Sequence, residues 1–290
     1  MRRVSDISGS ATSVRQATWI VYDGSCDGKE TRVGNGYATE SSGSYTYTLI
    51  NPVSINKTDI AGRPLEQIQA IRASTSGKLL PTDAFAQSSY TRWTTVQYTD
   101  CCFESSRRVY HTIPTSGTGS SGTNYDETSY GYDVMKRRNR TVTPGETITF
   151  NVIDVRGQVI GSWIGTDDTG ATSTDPTGGG ATGNNMIQVT GMQYDGGSDG
   201  GNGNLTQQTA YVDGSTTRIT TMTYDWRDRR TETDGEVDFC EKLTFDNLDR
   251  VIKRERYDTT TSGDLAARSE TKFDDRGRVY RTIRYRSIRK

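Results

Sequence analysis

The chain has 290 residues, long enough for one large β domain or two ordinary ones. Hydrophobic residues make up 31%, mean hydropathy is −0.74 and Gly occurs 31 times, close to the composition at which burial no longer offsets chain entropy, yet 16 Tyr with abundant Thr and Val favour half-buried strands over helices. With 35 basic and 36 acidic residues the formal charge is −1, which excludes a global field for nucleic acid or anionic lipid, and no apolar run is long enough for a membrane-spanning helix.

In chain order, Met1 to Ser10 carries Arg2 and Arg3 followed by polar residues, so no signal peptide is expected in this chain. Cys26, Cys101, Cys102 and Cys240 have no CxxC spacing and read as ordinary thiols, with one long-range disulfide left open for an exported chain. Pro64 to Ala73 places Leu65, Ile68 and Ile71 at intervals of three, which fits a short helix, and a strand is the competing assignment. His111, the single histidine, must anchor any Ser-His-Asp or Cys-His site; after Arg107-Arg108-Val109-Tyr110 it reads as a strand side chain. Gly117 to Gly122 matches GxGxxG, but Thr123 to Tyr130 has no helical period, so the context of a nucleotide site is missing.

A short unit recurs: an aromatic or apolar residue, Asp, two variable residues, Gly or Asp, then a basic or polar residue. It is clear at Tyr224-Asp225 to Arg229, Phe245-Asp246 to Arg250 and Phe273-Asp274 to Gly277-Arg278, and weaker at Thr58 to Arg63, Tyr132 to Arg137 and Ile153 to Gln158. The spacing is 21 residues (132 to 153 and 224 to 245) or 28 (245 to 273), the longer interval holding the loop Asp258 to Asp264. Each unit predicts a strand end, a tight turn and a new strand. Asp accepts amides two residues on, Gly or Asp tolerates positive φ, and Arg pairs across the turn. Ile148, Phe150 and Val152 alternate with polar residues as in a one-sided strand. Thr143-Pro144-Gly145-Glu146 predicts a type II turn with Gly145 at positive φ, and Asp213-Gly214 a type I′ hairpin. Ser116 to Thr123, Gly170 to Asn185 and Gly196 to Asn204 read as polar loops on a rim or projecting outward.

The units at 224, 245 and 273 resemble the YD repeats of the RHS family of large bacterial proteins, whose relatives include toxin-encapsulating shells and teneurins. Ser162-Trp163 to Asp168, and Tyr194-Asp195-Gly196-Gly197 leading to Gly203 to Thr206, are similar to connecting pieces of that family. The resemblance runs from about residue 130 to the carboxyl end and is weaker before it. It implies an all-β fold of successive antiparallel hairpins forming a spiralling, open or partial β-shell, with a divergent β-rich region over 1–130 and the YD array over 131–290. The family's core segment with its aspartyl self-cleavage site is not recognisable here, nor is a toxin domain. The chain therefore resembles a middle section of a larger array, secreted or on the cell surface, whose partners are neighbouring repeats and, as alternatives, carbohydrate or an encapsulated toxin polypeptide.

No catalytic set emerges, and the expectation is a non-enzyme without cofactor. Asp195, Asp199 and Asn202, among glycines, are weak calcium candidates, although no acid closes the loop as in an EF-hand. Asp225, Asp246 and Asp274 are read as turn residues and not as an acid/base pair. Arg276, Arg278, Arg281, Arg284, Arg286, Arg289 and Lys290 with Tyr280 and Tyr285 could grip a polyanion; the competing reading, preferred here, is a charged sheet surface whose arginines meet acids of the neighbouring strand such as Glu255 or Glu270, so no nucleic acid is expected. Trp163 and Trp226 are candidates for stacking on sugar rings.

Overall fold

The structure, a computed structural model, describes residues 6–7, 14–23, 29–41, 43–197, 201–236, 239–260 and 263–286. Among them the regular elements are β-strands apart from two three-residue 3-10 turns, Gln87–Ser89 and Asp195–Gly197, and no helix is long and apolar enough to cross a membrane. The fold is all-β, built from antiparallel pairs of strands adjacent in sequence.

The chain divides into two compact units, Met1–Gly131 with Thr141–Thr147, and Tyr132–Arg140 with Ile148–Lys290. The first contains Asp6–Ile7 (β1), Val14–Asp23 (β2), Lys29–Ser41 (β3), Ser44–Thr58 (β4), Pro64–Ala70 (β5), Tyr90–Tyr98 (β6), Glu104–Tyr110 (β7) and all but the last residue of Tyr125–Tyr132 (β8). Arg138–Val142 (β9) has residues in both units. The second continues with Ile148–Ile153 (β10), Val159–Gly165 (β11), Ile187–Tyr194 (β12), Leu205–Tyr211 (β13), Thr217–Tyr224 (β14), Arg230–Gly235 (β15), Phe239–Phe245 (β16), Val251–Tyr257 (β17), Leu265–Phe273 (β18) and Val279–Arg286 (β19).

The first unit holds a conventional apolar core. Ala17, Trp19 and Val21 alternate with exposed neighbours on β2, and Gly34 and Gly36 of β3, opposite Trp19 and Ala17, leave room for the Trp19 ring. A Cβ on Gly36 would lie 2.1 Å from the Thr48 carbonyl oxygen and 2.7 Å from the Trp19 ring, so the close approach requires glycine. Register then builds a ladder across five strands: Ile55 faces Ile68, Ile68 faces Trp93, and Tyr110 faces Tyr125. Trp93 stacks on Tyr110 with ring centroids 4.0 Å apart, and Tyr110 meets Tyr125 at 5.2 Å. This ladder decides the ambiguous segment. Pro64–Ala70 is a strand, because period two puts Ile68 and Ala70 in the core, whereas Ile71 is exposed.

The second unit is poorer in apolar burial. Its buried hydrophobic residues among those described are Ile148, Phe150, Val152, Met186, Met222 and Cys240, beside buried Pro176 and the polar Asp133, Asn139 and Glu255. Ile148, Phe150 and Val152 alternate as the sequence predicts. Two turns differ from expectation. At Thr143–Thr147 the left-handed residue is Glu146 (φ 61°) and not Gly145. The Thr143 amide donates to the Thr147 carbonyl and the Glu146 amide to the Thr143 carbonyl, so this is a three-residue loop of type I shape. At Asp213, Gly214 has no positive φ, so the turn is not type I′; the Asp213 carboxylate instead accepts the Ser215 and Thr216 amides and organises a longer loop. The loop between β11 and β12 does not simply project. It folds back on itself round buried Pro176, whose carbonyl accepts the Asn184 amide group.

Candidate functional site

The six sequence units share one geometry. Each Asp amide donates to the carbonyl of the residue four positions on, and the third residue after Asp returns its amide to the Asp carbonyl. That third residue carries the positive φ: Gly62, Lys136, Gly157, Asp228, Asp249 and Gly277, between 61° and 90°. A type I turn followed by one left-handed residue produces a bulge in the strand pairing, and the register shifts at the residue before Asp: Thr58, Ile153, Tyr224, Phe245 and Phe273. The Asp side chain locks the loop. Its Oδ1 accepts the amide of the residue four on at 2.8–3.1 Å in every copy, Arg63, Arg137, Gln158, Arg229, Arg250 and Arg278. Where that residue is Arg, its Nε donates to Oδ2 at 2.6–2.9 Å, closing a clamp.

The clamps set the electrostatics. The Arg229 guanidinium holds Asp225 below the usual carboxylate range. The backbone amides of Arg63, Arg250 and Arg278 do the same, first among several donors, for Asp59, Asp246 and Asp274. For Asp133, burial opposes ionisation, and the bonds from Arg137 outweigh it.

The same arginines reach beyond their own turn. Arg137 donates to the Asp154 carbonyl at 2.6 Å and to that of Ile153 at 3.2 Å. Arg229 donates to the Asp246 carbonyl at 2.9 Å and to the Asp249 carboxylate at 2.7 Å, and its guanidinium lies 4.8 Å from the Phe245 ring centroid. Arg250 lies 4.3 Å from the Phe273 centroid. At three turns led by Tyr the hydroxyl adds a link back: Tyr98 to the Pro64 carbonyl, Tyr194 to Val159 and Tyr224 to Leu205, at 2.9–3.2 Å. In the second unit these turns fall on one edge of a strand meander, each tied to the next. The aromatic, Asp and Arg positions of the repeat are therefore one device for joining hairpins.

Asp195 belongs to this edge. Its amide donates to the Asn204 carbonyl, its carboxylate accepts the Gly203 and Asn204 amides and meets Arg156 at 2.9 Å. It occupies the Asp position of a unit whose loop is enlarged, a role that the Tyr194-Asp195 dipeptide could have signalled. Asn202 and Asn204 donate to the Asp228 carboxylate of the following turn at 2.6 and 2.7 Å. Of the calcium candidates, Asp195 and Asn202 thus have protein partners, Asp199 lies outside the described residues, and no cluster of three or more metal-ligating side chains occurs among the described residues.

Sequence reading missed Thr99–Phe103, which uses the same backbone loop with the Thr99 hydroxyl accepting the Phe103 amide in place of the carboxylate; the turn at Thr143–Thr147 has that backbone loop too, with the Thr143 hydroxyl donating to the Thr147 carbonyl. His111 lies just past β7, exposed, beside the Thr112 hydroxyl at 3.2 Å, and not within the strand. Gly117, Gly119 and Gly122 have positive φ and lead into strand β8, not a helix. Cys26 lies outside the described residues; Cys101 and Cys102 are exposed thiols, and burial, ahead of Glu232 and Asp234, pushes buried Cys240 up to about 11. Trp163 is half-buried, its ring against the Gly161 backbone, whereas Trp226 is 82% exposed at a turn tip with the Arg227 guanidinium 4.7 Å from its ring centroid. Among the described side chains, the carboxyl-terminal arginines form no ion pair with Glu255 or Glu270. Glu255 meets Lys253 and Arg268, and Glu270 meets Arg268, while Arg281 sits opposite Lys272 and Arg284 opposite Ser269. Arg286 lies outside the described side chains, and Arg289 and Lys290 outside the described residues.

No family model and no curated protein matches this sequence. Among solved structures, the TcdB2-TccC3-Cdc42 and TcdB2-TccC3 crystal structures are similar at 12% identity with TM-scores of 0.44 and 0.45, over 92% of this chain and 16% of theirs. A Photorhabdus luminescens Tc holotoxin pore aligns at 9% identity and a TM-score of 0.31, over 94% of this chain and 14% of that one. The chain thus spans about a sixth of the length of the TcdB2-TccC3 chains.

Proposed function

We propose that the chain is a non-catalytic structural and interaction module of the YD-repeat kind, a segment of a larger secreted or surface array in which hairpins are held in series and present a broad charged β surface. The observation that carries this reading is the arginine of one turn bonding to the next, as Arg229 does to the Asp246 carbonyl and Asp249. The turn carboxylates accept amides and guanidinium at once, which keeps them ionised and ill suited to proton transfer. Neighbouring repeats are the first partners on this reading, and an enclosed toxin polypeptide is an alternative cargo. Arg229→Ala tests it by hydrogen exchange. The amides of Leu248 and Arg250, in the next turn, are expected to exchange about tenfold faster or more. Unchanged protection there would mean that the turns are independent and the array reading wrong.

A second reading rests on Trp226, whose indole is 82% exposed. An exposed ring suits the face of a sugar, although Arg227 already lies over it. On this reading a glycan array shows binding that Trp226→Ala abolishes, whereas an array without signal for the native chain removes it.

A further inference from the structure

The turn residue of positive φ has a fixed neighbour. From the Asp133 turn to the Asp274 turn, it faces the last residue of the turn before it. Asn204 donates to the Asp228 carboxylate and Arg229 to that of Asp249, both at 2.7 Å. Where the residue is glycine the direction is the same: a Cβ on Gly157, Gly203 or Gly277 would lie 3.8, 3.0 or 3.5 Å from Arg137 Nη1, Gln158 Nε2 or Arg250 Nη1. The residue just before it can point the other way, as Arg156 reaches Asp195 and Arg227 reaches Asp249 of the following turns. In the first unit the Asp59 turn stands in the same way before the Thr99 turn. The Arg63 guanidinium lies 4.7 Å from the Tyr98 ring centroid, as that of Arg229 lies on Phe245. Cys102, with φ 75° and its amide donated to the Thr99 carbonyl at 2.9 Å, fills the position of Asp249. Asp59, and after it Cys102 and Tyr98, raise Arg63 above its ordinary value, so the thiol is within electrostatic reach of the guanidinium. The acceptor is what differs. Nη1 of Arg229 takes the Asp246 carbonyl and the Asp249 carboxylate, whereas Nη1 of Arg63 is a buried atom with no hydrogen-bond partner, and a thiol is a weak acceptor.

We propose that Cys102 is an oxidation site, and that its sulfinate completes the junction by accepting Arg63 Nη1, as the Asp249 carboxylate accepts Arg229. The oxidant is a hydroperoxide. One oxygen passes to the Cys102 sulfur: an S–O bond forms, the O–O bond breaks, the thiol proton goes to the departing oxygen, and sulfur gives up two electrons to become the sulfenic acid. With hydrogen peroxide the departing oxygen leaves as water. A second peroxide molecule adds a second oxygen by the same balance, and the sulfinic acid loses its proton at neutral pH. Sulfinate carries two oxygens on one atom and a single negative charge, as a carboxylate does. The Cys102 thiol is exposed, so peroxide reaches it, and the guanidinium beside it favours the anionic product. Cys101 is exposed too, but it holds the position of Arg156 and Arg227, which point away from the preceding turn, so it is neither paired with Arg63 nor the thiol that resolves the sulfenic acid.

The test treats the full chain with hydrogen peroxide, maps the products by peptide mass spectrometry and follows thermal melting. Two oxygens are expected to add at Cys102 about tenfold or more faster than at Cys101, unaffected by Cys101→Ser and slowed by Arg63→Gln. The oxidised chain is expected to melt higher than a Cys102→Ser chain treated alike. Cys102→Asp is a permanent copy of the product, and its melting temperature should exceed that of the untreated native chain. Asn tolerates positive φ as Asp does, so the gain of Cys102→Asp over Cys102→Asn isolates the charge. That gain should be present with Arg63 and absent in an Arg63→Gln background, each pair being compared within its own background because Arg63→Gln also opens the Asp59 clamp. A Cys101–Cys102 disulfide as the main product, equal oxidation of the two thiols, or a gain of Asp over Asn that persists without Arg63 overturns the proposal.

Discussion

Trp93→Ala is expected to destabilise the first unit by about 3–5 kcal/mol, the range for removing a large buried aromatic side chain. Trp93 is 7% exposed and lies in the middle of the ladder. It faces Ile68 in register, stacks on Tyr110 at 4.0 Å, meets Tyr90 edge-on at 5.9 Å and donates its indole N–H to the Glu66 carboxylate at 2.9 Å. Truncation leaves a cavity that neighbouring strands cannot close, because their backbones are held in register on both sides. It also leaves the half-buried Glu66 carboxylate with Lys57 as its remaining partner. Urea unfolding of the variant should show a lower midpoint with an unchanged slope. Trp226→Ala, on an exposed turn tip, is the control and should shift the midpoint little; equal effects at the two positions would contradict the core assignment.

Acid is expected to unfold the second unit over a narrow range, because its clamps fail together. Asp133, Asp225, Asp246 and Asp274 are all held below the ordinary Asp value of 3.8, and the Ser215 and Thr216 amides lower Asp213 to about 2. A carboxylate whose folded pKa lies below its unfolded one contributes stability that is complete above the unfolded value and is lost as pH falls through the folded value. Melting temperature should therefore be flat from neutral pH to about pH 5 and fall from about pH 4 towards pH 2. Asp225→Asn and Asp246→Asn, which cannot change charge, should lower stability at pH 7 and flatten the fall. A melting temperature that does not change between pH 5 and pH 2 would show that the clamps do not hold the fold. The prediction has weight here because few apolar residues are buried in this unit to take over.

Much of this unit is legible in the sequence, because its information is local. In Asp-x-x-Gly-Arg the carboxylate, the residue of positive φ and the guanidinium lie within five positions, and their bonds to one another need no distant neighbour. Asp225, Asp246 and Asp274 are accessible to sequence reading for that reason, as is the alternation of Ile148, Phe150 and Val152. The enlarged turn at Asp195 is signalled only by its Tyr194-Asp195 dipeptide, because the carboxylate and Asn204 are nine positions apart and the intervening glycines imitate a cation loop. The turn built on Thr99 escapes because a hydroxyl replaces the carboxylate while the backbone does the rest. The Thr143-Pro144-Gly145-Glu146 turn misleads because glycine is permitted at positive φ without being required to adopt it, and the bulge places Glu146 there instead.

By itself, then, the sequence determined the fold class, the repeat and the chemistry inside each turn, all consequences of residue type at short spacing. Tertiary structure alone decided what those residues touch outside their own turn. It set Pro64–Ala70 as a strand through contacts with Ile55 and Trp93, and sent Arg229 to the next hairpin. It also placed Arg281 opposite Lys272, a like charge. The physical reason is that partners across a sheet are set by register, and register depends on where each bulge falls, a quantity that accumulates along the chain and that no single window of sequence contains.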